Sequence, residues 1–142
     1  WNGIGGYLVN MKEHHLGIVV RSIEESRRIF GCLGYSPCTK MIEDIHQHNK
    51  ILFLKDGQDS RKIELIEPLD EESTVKNAMP GLHHICYEVE GSFMDDFKAL
   101  KIGKIFSPQY TAPALDGRQV AFACLRNGLF VEFLRKESDC HG

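Results

Sequence analysis

The chain of 142 residues lacks several features that would assign it to a common class of protein. Its five cysteines show no CxxC spacing, and no apolar run approaches the roughly 20 residues that span a bilayer. The 17 lysines and arginines are scattered among 20 aspartates and glutamates, so that the formal net charge is −3 and no basic face is concentrated. These absences argue against nucleic-acid binding and against insertion into a membrane.

A secretory signal is also missing from the start of the sequence. The first ten residues, WNGIGGYLVN, have neither a charged beginning nor a long apolar stretch, and we interpret residues 1–11 as a leader. With no such signal and an odd number of cysteines, we expect reduced thiols in a cytoplasmic protein.

What the sequence does contain is one pattern of elements repeated twice. Each half opens with a His-His pair in an apolar strand, continues with a short helix that starts at a serine, and ends in three strands. In the first half we predict a strand from Glu13, a helix from Ser22 to about Phe30, and strands at 35–44, 50–55 and 61–67. In the second half we predict a strand from Leu82, a helix from Ser92 closed by Gly103, and strands at 104–106, 118–125 and 129–134.

The repeat divides the chain into two βαβββ modules of an α+β protein. The first module covers residues 12–69 and the second covers 82–135. The polar stretch between them, 70–81, ends in Pro-Gly and suits a linker, and residues 136–142 form a C-terminal tail.

The two halves also match in their most unusual residues. His15 precedes Glu64 by 49 positions, and His84 precedes Glu132 by 48. A carboxylate within a buried strand is costly unless it is paired or binds a metal. A single strand glutamate is more often exposed to solvent, but four matching positions favour a shared divalent-metal site.

Within each His-His pair we select the second histidine, because these two align across the repeat. Strand alternation then predicts that His14 and His83 point to the opposite face. Two imidazoles and two carboxylates suit zinc, cobalt, nickel, manganese or ferrous iron. One such ion acts as a Lewis acid on a carbonyl oxygen, and Glu132 or Glu64 is the candidate base for an adjacent proton.

Weaker candidates for substrate binding lie outside this set. His46, His48 and Lys50 alternate and are predicted to share one face of a strand, and Arg118 could contact a phosphate of the substrate. A solvated polar surface is the alternative interpretation of all four.

With these residues identified, the sequence from Glu13 to about residue 135 resembles the vicinal oxygen chelate superfamily, and most of all methylmalonyl-CoA epimerase. The stretches ELIEPLDEESTV and GLHHICYEV carry that resemblance. It implies a curled mixed sheet around a metal cleft, and metal ligands at His15, Glu64, His84 and Glu132. It also implies a homodimer and a small-molecule substrate, either an acyl-CoA or a glutathione thioester.

Three functions are compatible with this resemblance. The first is an epimerase-like lyase or isomerase that moves a proton next to a carbonyl. The second is a glyoxalase I-like isomerase, which has the same His, Glu, His, Glu ligand set. The third is a resistance protein that binds a small molecule without catalysis, and such a protein has no reason to keep four metal ligands.

Overall fold

The computed structural model describes residues 11–58, 61–107 and 109–137, and in these residues it contains ten strands, two α-helices and one short 3₁₀ helix. The elements of the first half are β1 (Lys12–Val19), α1 (Ile23–Cys32), β2 (Tyr35–Pro37), β3 (Ile42–Asp44), β4 (Asn49–Asp56) and β5 (Lys62–Pro68). Those of the second half are β6 (Gly81–Val89), α2 (Phe93–Leu100), β7 (Gly103–Ile105), β8 (Tyr110–Ala112), a 3₁₀ helix (Pro113–Leu115), β9 (Arg118–Leu125) and β10 (Phe130–Arg135).

All ten strands belong to one mixed sheet, in the order β2-β4-β5-β1-β6-β10-β9-β7, with β3 beside β4 and β8 beside β9. The first strands of the two halves, β1 and β6, pair antiparallel at the centre. Each of them also pairs in parallel with the last strand of its own half, β5 or β10. The predicted α+β class is confirmed, and the four central strands come equally from both halves.

Helix α1 begins where its sequence predicts. Ser22 has an extended backbone, and its hydroxyl accepts a hydrogen bond from the Glu25 N–H at 3.1 Å. The helix continues past Gly31 to Cys32, and the chain turns at Gly34, which has a φ of 95°. Ile23 and the apolar side chains of β4 and β5 form a buried cluster beneath the helix.

Helix α2 starts after Ser92, but its first turn differs from that of α1. Among the described residues the Ser92 side chain caps no backbone N–H, and its hydroxyl lies 3.5 Å from the Asp96 carboxylate instead. The helix ends at Leu100 and is capped by Lys101, which has a left-handed φ of 54°, so the predicted closure at Gly103 is two residues too late. Phe97 packs on Phe133 of β10 in a second buried cluster.

The predicted strand at 35–44 is wrong in one respect, because the structure divides it into β2 and β3. The Thr39 hydroxyl accepts the Phe53 N–H at 3.2 Å, so a side chain replaces the backbone carbonyl that a continuous strand would supply. In the second half the Ser107 hydroxyl accepts the Phe122 N–H at 2.7 Å in the same way. The sequence analysis did not predict the short strand β8 that follows this break.

Other predictions fall partly outside the described residues. The leader is described only at Met11, the tail only as far as residue 137, and Cys140 lies outside. Cys32, Cys38, Cys86 and Cys124 are free thiols. Across the described ranges, no helix is long and apolar enough to cross a membrane.

Candidate metal centre

The four central strands bring the two predicted histidines and two predicted glutamates together. His15 on β1, Glu64 on β5, His84 on β6 and Glu132 on β10 are each at most 5% exposed. One potential ligand atom from each side chain lies within 4.8 Å of all the others. We call these residues the His/Glu cluster. The structure therefore turns Glu64 away from solvent, which strand alternation alone could not establish.

The four distances between the histidine nitrogens and the glutamate oxygens of the cluster are nearly equal. The His15 Nε2 lies 3.5 Å from Glu64 Oε1 and 3.2 Å from Glu132 Oε1. The His84 Nε2 lies 3.3 and 3.2 Å from the same two oxygens. Zinc ligands at about 2.1 Å in a tetrahedral array are about 3.4 Å apart. The four His–Glu distances thus match the ligand spacing expected around a small divalent ion.

Hydrogen bonding gives an independent test of that fit. The Nε2 atoms of His15 and His84 and the Oε1 of Glu132 are buried and have no hydrogen-bond partner among the described residues. Buried polar atoms without partners are rare and indicate a missing ion or water. A divalent cation would satisfy all three atoms and balance the two carboxylate charges.

The charges of the cluster perturb its pKa values strongly. Burial disfavours the protonated imidazole, but the facing carboxylates Glu132 and Glu64 outweigh it and raise the pKa of His84 to about 10. The same two carboxylates raise the pKa of His15. The histidines in turn hold the pKa of Glu132 far below its ordinary value, against the opposing effect of burial. Without a metal, protons on the imidazoles therefore compensate the two carboxylates.

Two β-bulges orient the His-His pairs. Where β1 pairs with β6, Glu13 faces Tyr87 and His15 faces Cys86, so His14 is an extra residue on β1. The register breaks again farther along the same ladder. A bulge re-aims the side chains at its position and is common beside active sites.

In the second break, Gly17 faces His84 while Ile18 faces Leu82, so His83 is an extra residue on β6. The prediction that His14 and His83 point to the opposite face is therefore wrong. The Nδ1 of each lies 2.8 Å from the Nδ1 of the following histidine. Burial above all, together with the adjacent His84, lowers the pKa of His83 to about 4, so its ring is neutral near pH 7.

Aromatic rings and one glycine fix the cluster histidines in place. The His15 ring stands edge-on to Phe53 at 5.0 Å, and the His84 ring stands edge-on to Phe122 at 5.3 Å. A Cβ added at Gly17 would lie 2.1 Å from Cε1 of His84. Only a glycine leaves room for the His84 ring at this point.

Two adjoining cavities lie beside the cluster. The inner chamber has a volume of about 20 Å³ and is bounded by Glu64, His84 and Glu132 together with residues of β4, β8 and the 3₁₀ helix. The outer chamber has a volume of about 440 Å³ and is lined by His46, Gln47, Thr74, His83, Phe106, Ser107, Tyr110, Phe122 and Phe130. Four residues border both chambers: Gln47, His83, Tyr110 and Phe122.

Of the four weaker candidates, the structure brings only His46 to the cleft. His46 lines the outer chamber, and its ring lies 5.2 Å from that of Tyr110. It belongs to a turn held by the Asp44 carboxylate, which accepts the N–H groups of His46 and Gln47. The predicted common strand face for His46, His48 and Lys50 is therefore wrong.

The other three lie elsewhere: Lys50 and Arg118 make ion pairs, and His48 lies beside two carboxylates. His48 has a left-handed backbone conformation (φ of 56°), and its ring faces Asp70 and Glu72. Lys50 pairs with Glu67 at 3.3 Å. Arg118 pairs with Glu88 at 2.7 Å and also donates to the Arg135 carbonyl.

Sequence reasoning missed the contact that joins the two halves above the cluster. The Gln47 amide donates to the hydroxyl of Tyr110, 63 positions farther along the chain. Gln47 lies in a loop and Tyr110 in an unpredicted strand, so neither carried a local signal. The rings of Phe106 and Phe130 were missed because an exposed phenylalanine in a strand pattern is unremarkable by itself.

Comparison with known proteins identifies the family. Residues 14–122 match the Glyoxalase/Bleomycin resistance protein/Dioxygenase superfamily, and the chain belongs to it. Among curated proteins, none matches the chain in sequence.

Solved structures with the same fold include one of similar sequence. A hypothetical protein from Bacillus halodurans is 30% identical, with a TM-score of 0.77 over 94% of this chain and 99% of that one. Methylmalonyl-CoA epimerase from Mycobacterium tuberculosis is 17% identical, with a TM-score of 0.73 over 89% of this chain and 88% of that one. The Streptomyces coelicolor epimerase is 16% identical, with a TM-score of 0.73 over 89% and 98%. At these identities the two epimerases share the fold alone.

Proposed function

We propose that the protein is a metal-dependent isomerase or lyase that moves a proton next to a carbonyl group, in the manner of methylmalonyl-CoA epimerase. The observation that carries this proposal is the buried His/Glu cluster, in which three polar atoms lack a hydrogen-bond partner among the described residues. Members of the same fold that act as epimerases add support, since their substrate, methylmalonyl-CoA, is a carbonyl compound with an acidic adjacent proton.

In this proposal His15, Glu64, His84 and Glu132 hold one divalent ion, which would be zinc, cobalt, nickel, manganese or ferrous iron. When bound, the ion supplies Lewis-acid polarisation of a carbonyl oxygen. A substrate atom would approach the ion from the inner chamber, which Glu64, His84 and Glu132 border.

One of the two carboxylates acts as the base. General-base catalysis needs a proton acceptor within hydrogen-bond reach of the carbon acid. Glu64 and Glu132 both border the inner chamber, which supports either of them in this role. Burial limits the access of bulk water to the cluster, so the carboxylic acid formed by this step can return its proton to the substrate. Because the His–Glu distances are similar for the two glutamates, both remain candidates for the base. Single variants of each glutamate test which of them has this role.

The first test is metal content. We expect about one divalent ion per chain in protein prepared without chelator, and loss of that ion in His15→Ala and in Glu132→Ala. The control is His48→Ala, because His48 faces the carboxylates of Asp70 and Glu72 outside the cluster. A chain that takes up no metal even after reconstitution would contradict the proposal.

The second test is exchange of the α-proton of an acyl-CoA thioester in deuterated water. We expect metal-loaded protein to catalyse the exchange, and Glu132→Gln or Glu64→Gln to lose it under saturating metal. Unchanged exchange in one variant would remove that glutamate from the role of base.

A glyoxalase I-like isomerase is the second candidate, because the resemblance gives that enzyme the same two-histidine, two-glutamate set. Turnover of methylglyoxal with glutathione by nickel- or zinc-loaded protein, without exchange of acyl-CoA protons, would favour it. Tight binding of an apolar drug-like compound by protein with no metal would instead favour a resistance protein.

A homodimer and a cytoplasmic location complete the proposal, and light scattering of the purified chain tests the first of these.

A further inference from the structure

The outer chamber differs from the inner one in chemistry as well as in size. Its volume of about 440 Å³ lies within the range of about 300–1,000 Å³ typical of small-molecule sites. The inner chamber, at about 20 Å³, holds little more than one water-sized group. A substrate that reaches the His/Glu cluster therefore consists of a head of few atoms and a larger body in the outer chamber.

The wall of the outer chamber is a continuous series of aromatic rings. The Phe122 ring lies 5.3 Å from the ring of His84 in the cluster and 6.2 Å from that of Phe106. The Phe106 ring lies 5.6 Å from Phe130, which lies 5.6 Å from His83. These separations are within or close to the range of about 4.5–7 Å in which aromatic rings attract one another, so a further ring can join the series.

Several polar groups of this wall are already engaged within the protein. The Gln47 amide bonds to Tyr110 and to the Thr74 hydroxyl, and the Ser107 hydroxyl accepts the Phe122 N–H. Among the residues described, the lining includes no lysine, arginine, aspartate or glutamate. A charged body would enter this chamber without a counter-ion, at a cost in solvation.

The fold itself does not require these rings, as the equivalent positions of the first half show. The N–H of Phe106 donates to the Phe122 carbonyl, and the N–H of Cys38 donates to the Phe53 carbonyl, so Phe106 corresponds to Cys38. Two residues before Glu132 stands Phe130, and two residues before Glu64 stands Lys62. The phenylalanines of the second half are 58% and 38% exposed, so the core does not account for them either.

We propose that the outer chamber binds an uncharged aromatic ring carried by the substrate, while an oxygen-bearing head of a few atoms enters the inner chamber. This inference rests on the proposed function, because the head must reach the His/Glu cluster. Phe106 and Phe130 are then specificity-determining residues, and an aryl-substituted carbonyl compound is the preferred class of substrate.

The test uses simple hydroxamates, which offer two adjacent oxygens to a metal ion, and measures their dissociation constants on zinc-loaded protein by calorimetry. We expect benzohydroxamate to bind about tenfold or more tightly than acetohydroxamate, from ring burial and ring–ring contact. A carboxylate added to the ring at the 4-position removes most of this preference. Hexanohydroxamate binding as tightly as benzohydroxamate would overturn the inference, because the chamber would then be a general channel for an aliphatic arm.

Single variants test whether the preference for an aromatic ring arises in the outer chamber. Phe106→Ala and Phe130→Ala should lose most of the preference for the ring, with acetohydroxamate affinity and zinc content unchanged. Leu129→Ala is the matched control, since Leu129 is 48% exposed and precedes Phe130 but does not line the chamber. Equal ring preference in all three variants would overturn the assignment.

A protein that binds no zinc would contradict the proposed function without deciding this inference, so a metal-free arm is included. Benzamide and acetamide are compared on metal-free protein by saturation-transfer NMR. Selective binding of benzamide that Phe106→Ala abolishes would support the aromatic chamber on its own. Absence of benzamide binding to the metal-free protein, together with no ring preference in the zinc-loaded protein, would overturn it.

Discussion

The two halves of the molecule are alike at the cluster and unlike away from it. His15 and Glu64 of the first half correspond to His84 and Glu132 of the second. The phenylalanine rings beside the two histidines also correspond. Phe53 on β4 faces Glu64 on β5, and Phe122 on β9 faces Glu132 on β10.

The likeness ends two residues beyond each cluster histidine. Gly17 faces His84, whereas Cys86 faces His15. It also ends at the mouth of the cleft, where the second half supplies Phe106 and Phe130. On the proposed function, metal coordination explains why the four strands are symmetric, and substrate recognition explains why only one side of the cleft carries the additional rings.

The largest expected effect concerns the contribution of each half to metal binding. Saturating zinc should raise the melting temperature of the wild-type chain by about 5–10 °C when its concentration is about 100 times the dissociation constant. At the same zinc concentration, Glu64→Gln and Glu132→Gln should each lose most of this shift because of weaker binding, measured by differential scanning fluorimetry. Glu43→Gln, which alters an exposed glutamate, should keep it. A zinc-induced shift retained in only one of the two glutamine variants would mean that the two halves contribute unequally.

The next effect concerns Gly17 and Cys86. Gly17→Ala places a Cβ against the His84 ring, so we expect a loss of about 1–3 kcal/mol in the free energy of unfolding and metal affinity lowered by at least about tenfold. Cys86→Ala instead leaves a small cavity, with a loss on the order of 1 kcal/mol and metal still bound. Urea unfolding and metal titration measure both. Equal metal affinity in the two variants would contradict the assigned role of Gly17.

A smaller effect distinguishes the two helices. Ser22→Ala removes a capping hydrogen bond and should lower the free energy of unfolding by about 1 kcal/mol. Ser92→Ala removes no such bond and should change it by less than about 0.5 kcal/mol. Urea unfolding of both variants checks the difference, and an equal loss would show that the two first turns are equivalent after all.

The smallest effect concerns an ion pair that only the second half contains. Arg118 holds the pKa of Glu88 below its usual value. A lowered pKa in the folded chain stabilises it above the unfolded value of 4.5, and this contribution is lost as the pH falls through the lowered pKa. Glu88→Gln should therefore cost a few tenths of a kcal/mol, about 0.5 at most, at pH 7 and nothing at strongly acidic pH. A cost that persists in acid would indicate that the pairing is not electrostatic.

Much of the fold was predictable from local patterns. The strands at the His-His pairs and the start of α1 at Ser22 follow from apolar runs and a capping serine, which act over a few residues. The division of the strand at 35–44 was not predictable, because it depends on a Thr39 hydroxyl that bonds to Phe53 across the sheet. The earlier end of α2 was not predictable either, since Lys101 takes a left-handed conformation that sequence rules assign to glycine.

By itself, the sequence determined which residues meet in the cluster. Burying two histidines and two glutamates at matched positions of a repeat is favourable only if the four compensate one another. The tertiary structure alone decided how they meet. Two bulges, at His14 and His83, turn the His-His pairs against strand alternation. The chamber is built from rings that lie far apart in sequence and come together only when the second half of the sheet forms. Strand periodicity is a local property, whereas bulges and chamber walls depend on which strands pair, and that pairing exists only in the folded chain.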